Sequence, residues 1–429
     1  MLGMAEIRGR DATLPKGGPR APVAYDSIVV NSNGIGAITF AARLARSPEF
    51  QGKVVVAAKP VAESRRLIDG CTLRARSVDY YAAACGVTRE AVLGEVYGSD
   101  WRQAVADRQY AAYCNPDAAG RISIDRRTVF MDGENVRRDR TPRQPLSYGV
   151  RNSRLMGALN DLALECGVSF VEEPASSYDD LRALAPGQNP LIVNGTPKPI
   201  DGAAWREQPP PPRDFVAAAQ MAFTSPKLAR AGIISPHDSF VGLLKRDGTV
   251  DMCVFYPFQD PLSPAATFYG IFFRIVRNGA QADKAREQDI LRGELEQVAE
   301  ALGLSPDAPE ETMGTAFVPL SPWRKLGSRQ VGVLDLSRIS GAGCPIIAGD
   351  GMARAGLGGF AAAEAILLGE APERAMNEAL GRWRLNNRMQ AFAMTKLPSL
   401  TSFLVRTMPG VAFAGIGKAR DFDMWAGAY

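Results

Sequence analysis

Two stretches of this chain join an apolar strand to a turn of small residues and then a helix, an arrangement that brings backbone amides close to a negatively charged group. The first reads Asp26-Ser27-Ile28-Val29-Val30-Asn31-Ser32-Asn33-Gly34-Ile35-Gly36. A dinucleotide-binding turn ordinarily reads G-x-G-x-x-G between strand and helix. Aligned on the strand, Asn31 and Asn33 take the first two glycine positions and Gly36 takes the third. Asparagine tolerates unusual backbone angles better than most residues, so the tight turn survives at Asn31. Asn33 sets a side chain where the backbone should approach a pyrophosphate. Gly34 opens the helix, whose N-terminus attracts phosphate, and Gly36 permits close helix–strand packing. The next strand ends Val56-Ala57-Ala58-Lys59, without the acid that ordinarily holds an adenosine ribose. A βαβ unit with an Asn-Gly turn and no ligand fits the same residues.

The second stretch is Ile346-Ile347-Ala348-Gly349-Asp350-Gly351, followed by a glycine-rich turn through Gly358-Gly359 into an alanine-rich helix at about 359–368. Asp350 is placed to accept hydrogen bonds from sugar-like hydroxyls. The amides near Gly358 and Gly359 are placed to face charge developing on a flavin ring. The competing reading is a carboxylate helix cap with small residues for close packing.

Other chemistries are narrowed by what is scarce. His237 is the only histidine, so no multi-histidine metal site exists, and it lies in a turn-like Ser-Pro-His-Asp run that is a poor setting for a catalytic triad. The six cysteines form no C-x-x-C pair and several sit in apolar runs, as buried thiols of a reducing compartment do. A formal charge of +4 over 429 residues gives no concentrated basic footprint for nucleic acid. No apolar run is long enough to span a bilayer; the best, 399–417, is broken by Arg406 and Pro409. The chain is therefore expected to be soluble and cytoplasmic, with hard chemistry carried by a bound cofactor.

The elements that must position these residues follow from periodicity. Residues 26–30 and 53–58 read as buried strands flanking a helix at 34–45, and Thr88 as the cap of a helix at 89–96. Residues 121–136 read as a hairpin turning at Asp132-Gly133, followed by a basic loop, Arg137-Arg138-Asp139-Arg140-Thr141-Pro142-Arg143. Residues 151–166 read as a helix stopped by Gly167, and 191–194 as a buried strand. A proline run at 209–212 marks a domain crossing. The middle changes character: 240–258 is a hairpin turning at Asp247-Gly248, 267–277 an aromatic strand and 285–302 a long helix. On the second hairpin strand Val254, Tyr256 and Phe258 share a face, so Tyr256 and Phe258 either line a pocket or fill sheet core. A strand at 344–348 returns the chain to a parallel-sheet pattern, and a last long helix is expected at 373–388.

In this order the motifs resemble the group A flavoprotein monooxygenases, the para-hydroxybenzoate hydroxylase-like superfamily. The resemblance rests on the strand–turn–helix at 26–36, on Tyr148-Gly149-Val150-Arg151-Asn152-Ser153-Arg154-Leu155, similar to the family's arginine-bearing helix near FAD, on Gly349-Asp350, and on the closing Ala379-Leu380-Gly381-Arg382-Trp383-Arg384. Where the family has a middle Asp-Gly, this chain has Asn194-Gly195. Its Gly-Asp loop is also shorter and lacks the common histidine and proline. These departures are similar to the subgroup of flavoproteins that mature tryptophylquinone enzymes, such as quinohemoprotein amine dehydrogenase.

The resemblance implies an α/β chain with a Rossmann-like FAD-binding domain on a parallel sheet (22–85, 145–205 and 325–388). It implies an antiparallel-sheet substrate domain (86–144 and 206–324) and C-terminal helices (389–429), while the Arg-, Gly- and Pro-rich stretch 1–21 reads by composition as a disordered arm. It implies FAD as cofactor, held by Asn31, Asn33, Gly34, Gly36, Arg151, Asp350, Gly351, Gly358 and Gly359, with NAD(P)H as a transient reductant. The activity implied is hydroxylation of an aromatic substrate through a flavin C4a-hydroperoxide. In the subgroup that substrate is a tryptophan side chain of a partner polypeptide. A flavin-dependent dehydrogenase, reductase or cyclase, and a non-catalytic partner-binding protein on the same fold, are the rival readings.

Overall fold

The computed structural model describes residues 25–60, 70–97, 115–116, 122–123, 126–131, 134–139, 147–171, 175, 177–206, 215–224, 238–246, 249–259, 266–276, 283–301, 313–319, 326–341 and 351–407. The N-terminal arm, the proline run, His237, the strand expected at 344–348 and the Gly349-Asp350 pair lie outside them.

The chain opens with β1 (Ser27–Val30), α1 (Ile35–Ala45) and β2 (Lys53–Val56), the expected βαβ unit. It continues through β3 (Gly70–Arg74), α2 (Ala75–Cys85), α3 (Arg89–Tyr97), β4 (Asn115–Pro116), β5 (Ile122–Ser123), β6 (Arg126–Met131), β7 (Glu134–Asp139) and β8 (Ser147–Arg151). Next come α4 (Asn152–Glu165), β9 (Ser169–Phe170), α5 (Tyr178–Ala183) and β10 (Pro190–Val193). The middle holds β11 (Phe215–Thr224), β12 (Asp238–Arg246), β13 (Thr249–Gln259), β14 (Ala266–Val276), α6 (Lys284–Ala301) and β15 (Met313–Pro319). The last part has β16 (Val333–Leu334), α7 (Leu336–Gly341), α8 (Gly351–Leu367), α9 (Pro372–Ala379), α10 (Gly381–Lys396) and α11 (Pro398–Thr407).

One sheet runs β16-β10-β1-β2-β9, parallel at each of its pairings. Its strands are continuous apolar runs because both faces are covered. Ile28, Val30, Val54 and Val56 point into one core with Phe40, Leu155 and Leu159. Val29, Val55, Ile192 and Val333 point the opposite way, into a second core with Leu181 and Ile200. This period-two division fixes the register, since a one-residue slip exchanges the two sets. Helix α1 is buried along nearly its whole length, between the sheet and α8.

The larger sheet runs β15-β11-β14-β13-β12-β6-β7 and is antiparallel except where β12 joins β6. Within it Met131 pairs with Glu134 at the end of the β6–β7 ladder, and Arg246 with Thr249 at the end of the β12–β13 ladder. Helix α6 covers β11 and β14, tied by Arg274 to Glu287 at 3.5 Å and to Glu294 at 3.9 Å. Helices α10 and α11 lie against β12 and β13. The fold class is thus the expected one: a parallel Rossmann-like sheet, an antiparallel sheet and C-terminal helices.

Four boundaries differ from expectation. Helix α8 begins at Gly351, eight residues before the position read from the glycine-rich run, because those glycines serve packing rather than a turn. The helix expected at 373–388 is two, α9 and α10, separated at Leu380 (φ −90, ψ 2). Arg137, Arg138 and Asp139 are not loop but the end of β7, paired with Thr128, Arg127 and Arg126. Arg151 closes β8 opposite Gly70 rather than opening α4. Among the described residues no helix is long and apolar enough to cross a membrane, and no His/Cys/Asp/Glu group suited to a metal ion occurs.

Candidate functional site

The site is built where β1 ends. The chain leaves the sheet between β10 and β2, so the carboxyl end of β1 is a topological switch point, the place where open α/β sheets bind ligands. Two asparagines shape it in opposite directions. The Asn31 side chain turns toward β10: its Oδ1 accepts from the Gly195 amide at 2.8 Å and its Nδ2 donates to Asn194 Oδ1 at 3.1 Å. Asn33 turns the other way, its Nδ2 donating to the Lys59 carbonyl just past β2. Neither bond is available to glycine. The two amides therefore brace the turn against both neighbouring strands and leave the helix end between them.

That end is the N-terminus of α1. Gly34 is its N-cap, in extended conformation (φ −63, ψ 158), with no side chain capping the helix and no acid in the first turn. The Gly34 amide is taken by Ser32 Oγ at 3.0 Å, and the first helical bond runs from the Ile38 amide to the Gly34 carbonyl at 2.9 Å. By helical geometry the amides of Ile35, Gly36 and Ala37 precede the first internal acceptor and carry the positive end of the helix dipole. The turn from Asn31 to Ile35 is partly exposed. This cradle fits the pyrophosphate of FAD: amides without helical acceptors, a positive dipole end and no competing carboxylate. It does not offer an acid to the adenosine ribose, since Lys59 stands there and its carbonyl is occupied.

Gly36 has a different role from the expected helix–strand contact. A Cβ at Gly36 would lie 2.8 Å from the Ala355 carbonyl oxygen, and one at Gly359 only 2.2 Å from the Gly36 carbonyl oxygen. The pair brings the backbones of α1 and α8 together. Gly358 likewise faces Ser340, whose Cβ lies 2.6 Å from a Cβ built there. Both glycines lie inside α8, where each amide has a carbonyl one turn earlier to bond, so neither is available to a flavin. Gly351 opens α8 with nothing within 4 Å of a built Cβ, and Tyr81 donates to the adjacent Met352 carbonyl at 3.2 Å. An ion pair between Arg43 and Glu364, 2.5 Å and nearly buried, locks the two helices further along.

The remaining candidates are placed by backbone only. Arg151 ends β8, Tyr256 sits on β13 opposite Tyr269, and Phe258 opposite Thr267. Asp350 lies outside the described residues, immediately before α8. Sequence reasoning missed the network behind Asn31. Asn194, fully buried, donates to the Lys198 carbonyl at 2.8 Å and to Asp335 Oδ1 at 3.3 Å. Arg329 grips both Asp335 oxygens, at 2.5 and 3.1 Å. Asn194 was visible as a departure from Asp-Gly; nothing in the spacing marks Arg329 or Asp335. In α10, Arg384 is buried and bonds the Asn377 carbonyl at 3.1 Å; burial, then the nearby Arg354 charge, pushes its guanidinium below the ordinary range.

No family model and no curated protein sequence matches the chain. Solved structures do. A flavin-dependent brominase, Bmp2, is 12% identical with a TM-score of 0.54, covering 94% of this chain and 93% of its own. FqzB is 14% identical with a TM-score of 0.52, over 94% and 96%. A 2-methyl-3-hydroxypyridine-5-carboxylic acid oxygenase variant is 14% identical with a TM-score of 0.50, over 91% and 96%. At such identities the likeness is one of architecture, and it extends along nearly the whole chain: this protein has the fold of the group A flavoprotein monooxygenases.

Proposed function

We propose that this chain is an FAD-dependent monooxygenase that hydroxylates an aromatic ring, with NAD(P)H as a visiting reductant. The observation that carries the cofactor is the open, acid-free N-terminus of α1 at the switch point of the parallel sheet. Bound there, FAD supplies two-electron chemistry with a nicotinamide and dioxygen, one oxygen atom entering the ring and the other leaving as water. The chain's own residues bind and orient. The amides of Ile35, Gly36 and Ala37 hold the pyrophosphate, Asn31 and Asn33 keep the turn rigid, and Asp350 binds the ribityl hydroxyls. The substrate lies between the two sheets, against the face of β13 that carries Tyr256 and Phe258. We take the ring to be a tryptophan of a partner polypeptide, on the sequence resemblance to the tryptophylquinone-maturing flavoproteins.

The test is a visible spectrum of freshly purified protein, with the chromophore identified after denaturation. Bound FAD, followed by oxygen uptake coupled to hydroxylation of tryptophan-containing peptides, is the expected outcome. The assay is run with and without bromide, since one structural relative is a brominase. Colourless protein that also fails to take up added FAD would favour the partner-binding reading, in which the Asn31 and Asn33 braces stand where glycines bind a cofactor.

A further inference from the structure

Ten large apolar side chains are exposed among the described residues, and six of them fall within one short stretch: Leu385, Met389, Phe392, Leu397, Leu400 and Phe403, each 40–59% exposed. The clustering follows from helical spacing. Leu385, Met389 and Phe392 recur at four- and three-residue intervals along α10, on one face. Leu400 and Phe403 do the same on α11, and Leu397 bridges the two. The opposite side is anchored: Trp383, Met394 and Thr401 are buried, and the helices rest on β12 and β13. The Thr401 hydroxyl donates to the Ala393 carbonyl at 2.8 Å across the junction, so the two helices hold one orientation. Exposed apolar faces of this kind on an anchored helix pair mark an interaction surface.

Charge decides what covers it. From Gly381 to Thr407 the sequence holds Arg382, Arg388, Lys396 and Arg406 beside the buried Arg384, and no aspartate or glutamate. Arg388 and Lys396 are exposed on the same face of α10 as the apolar residues. A second copy of the chain would set this cationic face against itself. A lipid surface with anionic headgroups suits both features, taking the apolar side chains into the headgroup–acyl boundary and the cations at the phosphates. We propose that the exposed face of α10 and α11 seats the protein on an anionic membrane surface, lying on it and not crossing it. The proposal is independent of the cofactor and of the reaction.

The experiment is sedimentation of the full chain with vesicles of phosphatidylcholine alone, and of phosphatidylcholine and phosphatidylglycerol in equal parts. The protein is expected to pellet with the mixed vesicles, to stay in solution with phosphatidylcholine alone, and to be released by high salt. The double variant Phe392→Glu with Leu400→Glu is expected to lower the bound fraction roughly tenfold, since it removes apolar anchors and adds repulsion. Its circular dichroism and thermal transition should match the parent's, because both side chains face solvent. The proposal is overturned if the parent ignores the mixed vesicles, or if the variant binds them equally well. It is also overturned if light scattering shows a dimer of the parent that the variant lacks while neither binds lipid, which would make a second copy the occupant.

Discussion

Asn194 stands where the flavoprotein pattern has aspartate, and its surroundings say what the change achieves. Its amide nitrogen donates to Asp335 Oδ1 at 3.3 Å. In Asn194→Asp that donor becomes an oxygen, and two carboxylates face one another in a buried site. Such an acid has its pKa raised in the folded protein by burial and like charge, so the penalty is absent at low pH and grows as pH rises above the ordinary aspartate value of about 3.9. We expect a loss of about 1–3 kcal/mol at pH 8 and little at pH 4, measured by urea unfolding. Equal losses at both pH values would show that Arg329 neutralises the pair completely. The two thiols at the ends of α2 and α4 make a second pair. The Cys166 thiol donates to the Cys85 carbonyl at 3.6 Å and is the more accessible of the two; pairing with the Cys85 side chain holds Cys166 below the ordinary thiol range, while that pairing and burial push Cys85 well above it. Alkylation at neutral pH followed by peptide mass spectrometry should mark Cys166 early and Cys85 only after unfolding. Preferential labelling of Cys85 would reverse the assignment.

At the scale of elements, the contact between α1 and α8 separates two meanings of glycine. Alanine is the better helix former by about 1 kcal/mol, yet at Gly359 its Cβ would meet the Gly36 carbonyl, which is backbone and cannot swing away. Gly359→Ala should cost about 1–3 kcal/mol in thermal or urea unfolding. Gly293→Ala, inside α6 with nothing within 4 Å of a built Cβ, should gain about 0.5–1 kcal/mol. Equal effects at the two sites would mean that propensity, not packing, governs both. The same contrast explains what was legible in the sequence. Strands β1, β2, β10, β12, β13 and β14 were readable because each is an apolar or alternating run, all but β2 with Asp-Gly or Asn-Gly punctuation. The start of α8 was not, since a glycine run reads as a turn until the opposing backbone is known. The bracing of Asn31 by Asn194 was equally hidden, because parallel strands bring together residues 163 positions apart without leaving a local trace.

At the scale of the whole molecule, the proposed cofactor should behave as a structural partner. A ligand that binds only the folded chain stabilises it by about 2.7 kcal/mol at a hundredfold excess over its Kd. Added FAD should raise the unfolding midpoint, and Asp350→Ala should weaken FAD binding by about 1.5–3 kcal/mol, the worth of a hydrogen bond to a charged group. A midpoint indifferent to FAD in the parent would argue against the cofactor; one shifted equally in parent and variant would remove Asp350 from its site.

Helices α1 and α8 are neighbours in space but lie far apart in sequence, at residues 35–45 and 351–367. During synthesis α1 emerges well before the helix that covers Gly36 and pairs Glu364 with Arg43. At about 5–20 residues per second the nascent chain spends tens of seconds with that side of α1 bare. A chain that stops short of Gly351 would leave Gly36 and Arg43 without the backbone and the carboxylate that meet them, and would be a natural client for chaperones.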